Sequence, residues 1–461
     1  MSLHMDKLAS KLIRDDQIIA ESQAFCEGYK DFLNHSKCER EVVRNVIEMA
    51  EARGFVPFDA GNDYAPGSRV YYNEKNKALI LAVIGRQGVK NGLHLIAAHI
   101  DSPRVDLKTT PLYEEEEMAY FKTHYYGSIR RYQWVTTPLA MHGRISLKSG
   151  THLDFALGEK EGEPQFVITD LLPHLAKGLN PGPIDTVITG EMLNILIGSY
   201  PTAAGAETDP VKQKVLEILE KEYGIEEEDF LSAEICFVPA CKASDIGFDR
   251  SMIGAYGQDD KICAYPAVAA LTRLEVPENT TIVLLADKEE VGNGSVSGMD
   301  SAYIDYFMED LCVMDKVNLR DVLRKSQALS ADVSSGYDPA YRDCFDIHNV
   351  NRMNHGAIIQ KYNGYNGKAD TNDAGAEYLA EIRRILDSAG VLWQSGETGR
   401  IDLGGGRTLA RCIANRNIDV VDIGVPVLSM HSTFETTSKL DIYMLYKALS
   451  AFMNTEIHVL Y

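Results

Sequence analysis

Thr281-Ile-Val-Leu-Leu-Ala-Asp-Lys-Glu-Glu-Val-Gly292 is the stretch that decides how this chain folds. Its first six residues are β-branched or Leu-rich and carry no charge, the pattern of a buried strand. The next six turn polar and end on glycine. They put two adjacent carboxylates, Glu289 and Glu290, in the loop that leaves a strand, where open α/β sheets keep their active sites. Adjacent carboxylates repel, so a fold that fixes both at a sheet edge calls for a cation there or a shared proton. Two solvated loop glutamates would look the same in isolation, so the partners elsewhere in the chain carry the decision.

The same grammar recurs on either side. Strands are predicted over Ala78 to Ile84, Leu93 to Ala98, Gln327 to Ala331, Gly356 to Gln360 and Ile418 to Ile423. Between them, apolar residues recur at helical spacing over Lys7 to Ile19, Glu39 to Arg53, Asp260 to Leu274, Asp373 to Ala389 and Ser438 to Met453, with Gly54 stopping the second. This alternation predicts an α/β fold, a mixed β-sheet sandwiched by helices. Residues 104–245 break the rhythm with short alternating strands (Ala119 to His124, Arg144 to Leu147, Phe166 to Thr169) and one amphipathic helix near Asp209 to Glu222. Acidic runs at Glu114 to Glu117 and Glu226 to Asp229 read as solvated faces. The expected organisation is a discontinuous catalytic domain, residues 5–103 and 246–461, holding a smaller β-rich inserted domain, residues 104–245. Met1-Ser-Leu-His ahead of a second methionine, Met5, reads as an added leader and is set aside.

Composition agrees with a two-domain globular protein: 461 residues, 45% apolar and 25% charged. A net charge of -21 excludes nucleic acid and anionic membrane surfaces as partners, since both are polyanions. No apolar run approaches the roughly 18 residues of a membrane span. The eight cysteines are scattered without a C-x-x-C pair, and no secretory leader opens the chain, so a cytoplasmic protein with reduced thiols is expected.

Five positions share one context, a carboxylate or imidazole just past an apolar run. They are His99, Asp259 in Gly257-Gln-Asp-Asp-Lys261, the Glu289/Glu290 pair, Asp332, and His431 in Leu428-Ser-Met-His-Ser432. Each has an ordinary reading: a structural histidine, a helix N-cap at Asp259, a turn residue at Asp332. All five at strand exits by accident is much rarer. Two imidazoles with three carboxylates suit Zn, Mn or Co, whereas Ca and Mg want oxygen alone. The arithmetic gives two ions: His99 and Asp332 on one, Glu290 and His431 on the other, Asp259 bridging. That is a co-catalytic hydrolase layout with ions about 3.5–4 Å apart. Glu289 is then left as general base, and Asp101 orients His99 if the strand continues to it.

His99-x-Asp101, Asp259-Asp260, Asp287-Lys-Glu-Glu-Val-Gly292, Ser330-Ala-Asp-Val333 and Met430-His-Ser432 resemble, in order and spacing from about residue 5 to 461, the five signatures of the aspartyl aminopeptidase/aminopeptidase I family of dinuclear zinc metallopeptidases. The resemblance implies a zinc-exopeptidase-like catalytic domain, with His99, Asp259, Glu290, Asp332 and His431 as metal ligands and Glu289 as base. It also implies a tetrahedral dodecamer, the inserted domain mediating subunit contacts and the active sites facing an enclosed chamber. One segment departs from the aspartyl branch: Tyr126-Gly-Ser-Ile-Arg-Arg-Tyr-Gln-Trp-Val-Thr-Thr-Pro138. Tyr132 stands where family members carry a histidine that reaches a neighbouring subunit's active site, and Thr-Thr-Pro replaces an Asp-Arg-Asp triplet. This is more similar to the aminopeptidase I branch, which prefers neutral or apolar N-terminal residues. Lys361, in Ile359-Gln-Lys-Tyr-Asn363, is a candidate partner for a substrate carboxylate, and His355 and Tyr132 complete the substrate-binding set.

The expectation is therefore a metal-dependent aminopeptidase acting on peptides with two divalent ions per subunit, zinc first and cobalt or manganese also suitable. Three alternatives stay open: an acidic-specific aminopeptidase, a dinuclear-metal amidase or deacylase, and a non-catalytic assembly protein retaining the ligands.

Overall fold

Strand Thr281–Ala286 forms as its composition dictates, and all six of its residues are buried. In the computed structural model, which describes residues 3–176, 183–203 and 208–458, it lies inside a nine-stranded mixed sheet. Four parallel strands make the middle of that sheet: Thr281–Ala286, His94–His99, Gln327–Ala331 and Asp419–Gly424, in that spatial order. Antiparallel neighbours flank them, Ala78–Val83 on one side and Ala357–Gln360 on the other.

Why these strands lack alternation is visible in their two faces. Val283 and Leu285 belong to one buried cluster, while Ile282, Leu284 and Ala286 belong to the other. A strand covered on both faces reads as a continuous apolar run. The first cluster packs the sheet against helices Asp16–His35, Glu39–Glu51, Gln258–Leu271, Ala376–Ser388 and Lys439–Met453. The second packs it against Tyr303–Asp315, Leu319–Leu323 and Ala410–Ala414. The α/β sandwich is thus observed, and each fully buried Val, Leu or Ile contributes about 1.5–3 kcal/mol.

The chain divides into two compact units. One comprises Met1–Asp101, Ala243–Met430 and Glu435–Tyr461, and holds the nine-stranded sheet. It also carries a five-stranded sheet ordered Ser244–Ile246, Met252–Ala255, Glu435–Ser438, Pro426–Leu428 and Ser334–Ser335. The other comprises Ser102–Lys242 and His431–Phe434. Its six strands, His152–Leu157, Leu139–Ser146, Ala233–Pro239, Arg104–Glu115, Met118–Tyr126 and Ile195–Gly198, pair antiparallel throughout. Phe121, Phe166, Phe230 and Phe237 pack together beneath them.

Several boundaries differ from expectation. The helix predicted over Lys7 to Ile19 is two helices, Leu3–Leu12 and Asp16–His35, broken where the Asp15 side chain accepts the N–H groups of Gln17 and Ile18. A cap ends one helix and starts the next without a glycine or proline to mark it. Leu3 and His4, set aside as leader, are part of the first helix. Phe166 to Thr169 is not a strand: Phe166 and Val167 make only isolated bridges, to Leu139 and Leu196. Among the described residues no helix is long and apolar enough to cross a membrane.

Candidate metal centre

His99 is the last residue of its strand and lies in register with Ala286 on the parallel neighbour. Asp332 follows Ala331 on the other neighbour and donates its N–H to Ile423 O at 2.9 Å. Carboxyl ends of adjacent parallel strands share one sheet edge, which is why residues 233 positions apart in sequence meet here. His99 Nε2 lies 3.9 Å from Asp332 Oδ1, 3.1 Å from Asp259 Oδ1 and 4.0 Å from Glu289 Oε2.

Asp259 comes from the segment that opens the helix Gln258–Leu271. Its backbone is extended (φ -75°, ψ 113°), so its carboxylate points away from the helical path. Glu289 and Glu290 sit on a single 3-10 turn, Glu289–Val291, entered through Lys288 at φ 70° and left through Gly292 at φ 96°. Asp101 ties these pieces together. Its Oδ1 accepts the N–H of Glu289 and its Oδ2 that of Glu290, each at 3.2 Å, while Oδ1 also lies 3.3 Å from His99 Nδ1.

The chemistry of this knot is lopsided. His99 faces four carboxylates, Asp101, Asp259, Glu289 and Asp332, within 4.0 Å. Burial opposes its positive charge, but hydrogen bonds with Asp101 and Asp259 and the charges of Asp260 and Asp332 raise its pKa well above the usual value. Burial, reinforced by the negative charges of Asp260, Glu289 and Asp259, pushes Asp332 far above the carboxylate range. Crowded, desolvated carboxylates of this kind are relieved by a cation.

Ligand atoms are placed to hold one. His99, Asp259 and Asp332 each offer an atom, all mutually within 4.8 Å. Asp259, Glu290 and His431 form a second such group, so Asp259 belongs to both. The donor set, imidazole plus carboxylate in each group, suits zinc and its neighbours. The residues present therefore fit a pair of divalent ions.

Comparison with known proteins decides the family. The profile described as aminopeptidase I zinc metalloprotease (M18) matches residues 32–453. The chain belongs to the M18 family. A curated relative from Clostridium acetobutylicum, a probable M18 family aminopeptidase 1, is 43% identical over 95% of this chain and 96% of its own length. The crystal structure of the M18 aminopeptidase of Thermotoga maritima superposes with a TM-score of 0.91 at 39% identity, covering 96% of this chain and 98% of that one. The mature Ape1 dodecamer of Saccharomyces cerevisiae shares the fold at a TM-score of 0.74 and 20% identity, over 94% of this chain and 96% of that one. As an M18 aminopeptidase the chain is a metallo-exopeptidase that removes residues from peptide N-termini.

Asp101 reaches the knot by another route than expected, and Lys361, His355 and Tyr132 of this M18 chain have neighbours of their own. Asp101 was expected on a continuing strand; the strand stops at His99, and Asp101 reaches back from a loop. The Lys361 ammonium pairs with Asp373, which also takes Lys368 at 2.9 Å. His355 Nδ1 lies 2.8 Å from Met353 O, just before the strand Ala357–Gln360. Tyr132 lies in a short turn, Arg131–Gln133, with the Arg130 guanidinium 5.0 Å from its ring centre. Two buried acids were given no role in the sequence reading. Asp260 Oδ2 accepts the His99 N–H at 3.3 Å, and Glu435 Oε2 accepts the N–H groups of Gln258 and Asp259. No sequence signal marks the latter, because the donors it accepts are main-chain N–H groups.

Proposed function

We propose that this M18 aminopeptidase works with two divalent ions per chain and removes neutral or apolar N-terminal residues from peptides. His99 and Asp332 would hold one ion, Glu290 and His431 the other, and Asp259 both. The single observation that supports this reading is the sharing of Asp259 between two three-residue ligand groups. When bound, such ions supply Lewis acidity toward a peptide carbonyl and lower the pKa of water at the site.

The remaining work belongs to the protein's own side chains. Glu289 stands 4.0 Å from His99 Nε2, inside the ligand cluster but outside both ligand groups, which suits a general base. It takes a proton from the attacking water and passes it to the leaving amine. Asp101 fixes the Glu289 and Glu290 amides and faces the far nitrogen of His99, setting the direction of base and ligands together. Neutral specificity is supported by the pairing of Lys361 with Asp373, which satisfies the cation most suited to an acidic side chain. By likeness to the Ape1 dodecamer, the proposed assembled form is a homododecamer.

The test is a panel of Leu-, Lys-, Glu- and Asp-chromophore amides, run on chelator-stripped enzyme reloaded with zinc, cobalt or manganese. Metal-dependent cleavage with Leu ahead of Asp and Glu is expected. Preference for Asp or Glu would reassign Lys361 to substrate binding, and cleavage confined to N-blocked substrates would make the protein an amidase.

A further inference from the structure

Glu435 is 1% exposed, a depth at which an acidic side chain requires donors of its own. It opens the strand Glu435–Ser438 and pairs in register with Ala255, at the end of Met252–Ala255. Its Oε2 accepts the main-chain N–H of Gln258 at 2.7 Å and that of Asp259 at 3.1 Å. Gln258 returns the contact, its Nε2 donating to Glu435 O at 2.7 Å and to Ile253 O at 3.2 Å.

The segment so held departs from helical geometry. Gly257 lies at φ 70°, Asp259 at ψ 113°, and Asp260 at φ -112° and ψ 25°, so the helical hydrogen-bond ladder does not set the direction of the Asp259 side chain. One carboxylate oxygen accepting two consecutive amides fixes both the position and the rotation of the peptide plane between them. Asp101 holds Glu289 and Glu290 in a related way, with one carboxylate oxygen on each amide. Each acid clamps the backbone that carries a candidate ligand, and Glu435 belongs to neither ligand group.

The geometry points to Glu435 as a positioning residue, whose carboxylate fixes the Gln258–Asp259 main chain so that Asp259 serves both ligand groups at once. This rests on the dinuclear reading of the site given above. The relevant effect is on metal binding, since misdirecting Asp259 loosens both ions. Loss of such an outer-shell contact lowers metal affinity by about 10–100-fold.

The experiment compares wild type, Glu435→Ala, Glu435→Asp and Glu435→Gln as full chains. Zinc and cobalt affinity are measured by equilibrium dialysis, and the visible absorption of the cobalt-loaded proteins is recorded. Glu435→Asp keeps the charge and withdraws the acceptor by one methylene, so it separates reach from electrostatics and remains decisive if Glu435→Ala fails to fold. Expected are affinities about 10–100-fold weaker with altered cobalt spectra for Glu435→Ala and Glu435→Asp. Glu435→Gln, which keeps an acceptor oxygen at the same reach, should restore the wild-type spectrum. Wild-type affinity and spectrum in Glu435→Asp would overturn the clamp alone. Fewer than two ions on wild type would overturn the dinuclear reading, and the clamp with it.

Discussion

Asp101 Oδ1 lies 3.2 Å from the main-chain nitrogen of Glu289 and accepts its hydrogen bond. The same oxygen stands 3.3 Å from His99 Nδ1, and the other oxygen takes the Glu290 amide. One buried carboxylate thus sets the geometry of the proposed base and of the ligand beside it, while the imidazole that ends the neighbouring strand also meets the Asp101 main-chain O, 3.0 Å from Nδ1. Replacing it with alanine should lower kcat by about 10–100-fold, by analogy with other outer-shell partners of metal ligands. Steady-state kinetics with a Leu-chromophore substrate, alongside metal analysis, checks this; unchanged kcat in Asp101→Ala would remove it from the mechanism.

Asp259 is the one residue common to both ligand groups. Asp259→Asn leaves a single good oxygen donor where two are needed, so both ions should be lost together. Metal content of the purified variant, measured by elemental analysis after exhaustive dialysis, tests the bridge. Retention of two ions per chain contradicts it.

Leu284 is fully buried in the middle of the central sheet, on the face covered by Tyr303–Asp315. Leu284→Ala removes apolar contacts and opens a cavity, costing about 2–5 kcal/mol. Denaturant unfolding at fixed protein and metal concentration reads this, because assembly and metal binding both add to apparent stability. The variant should keep its activity per folded chain, since the side chain points away from the sheet edge that carries the site.

Asp441, which belongs to neither ligand group, gives a separate pH signature. Burial outweighs the N–H groups of Asn354 and Gly356 and the Ser438 side chain, and raises its pKa from 3.8 to about 7. The folded chain therefore keeps a proton that the unfolded chain releases. The resulting stability is complete below about pH 4 and is lost as pH rises toward 7, by at most about 1.4 kcal/mol per pH unit. In Asp441→Asn this slope should vanish, leaving the difference in unfolding free energy between the two proteins dependent on pH between 4 and 7 and flat above it. A pH-independent difference would refute the assignment.

The fold was legible where burial on both faces leaves an unbroken apolar run: Thr281–Ala286 and Gln327–Ala331 coincide with the strands read from sequence. The strand-end positions of His99 and Asp332 were legible for the same reason, since each stands one step beyond, or at the end of, such a run. The break at Asp15 was not, because apolar periodicity continues through a cap. The helix Tyr303–Asp315 was passed over: its buried face, Ile304, Phe307, Met308 and Leu311, is interrupted by acids that look like loop residues without their neighbours. Glu435 was illegible for a different reason. The amides it accepts lie 177 and 176 positions away, and a main-chain donor leaves no mark on the sequence that carries it.

The central claim is that Glu289 moves the proton while its neighbour Glu290 holds metal. Glu289→Gln is the direct test, with kcat and metal stoichiometry measured on one preparation. Two ions per chain with kcat lowered by about 10²–10⁴-fold is the predicted result. Two ions per chain with near-normal turnover would contradict the account.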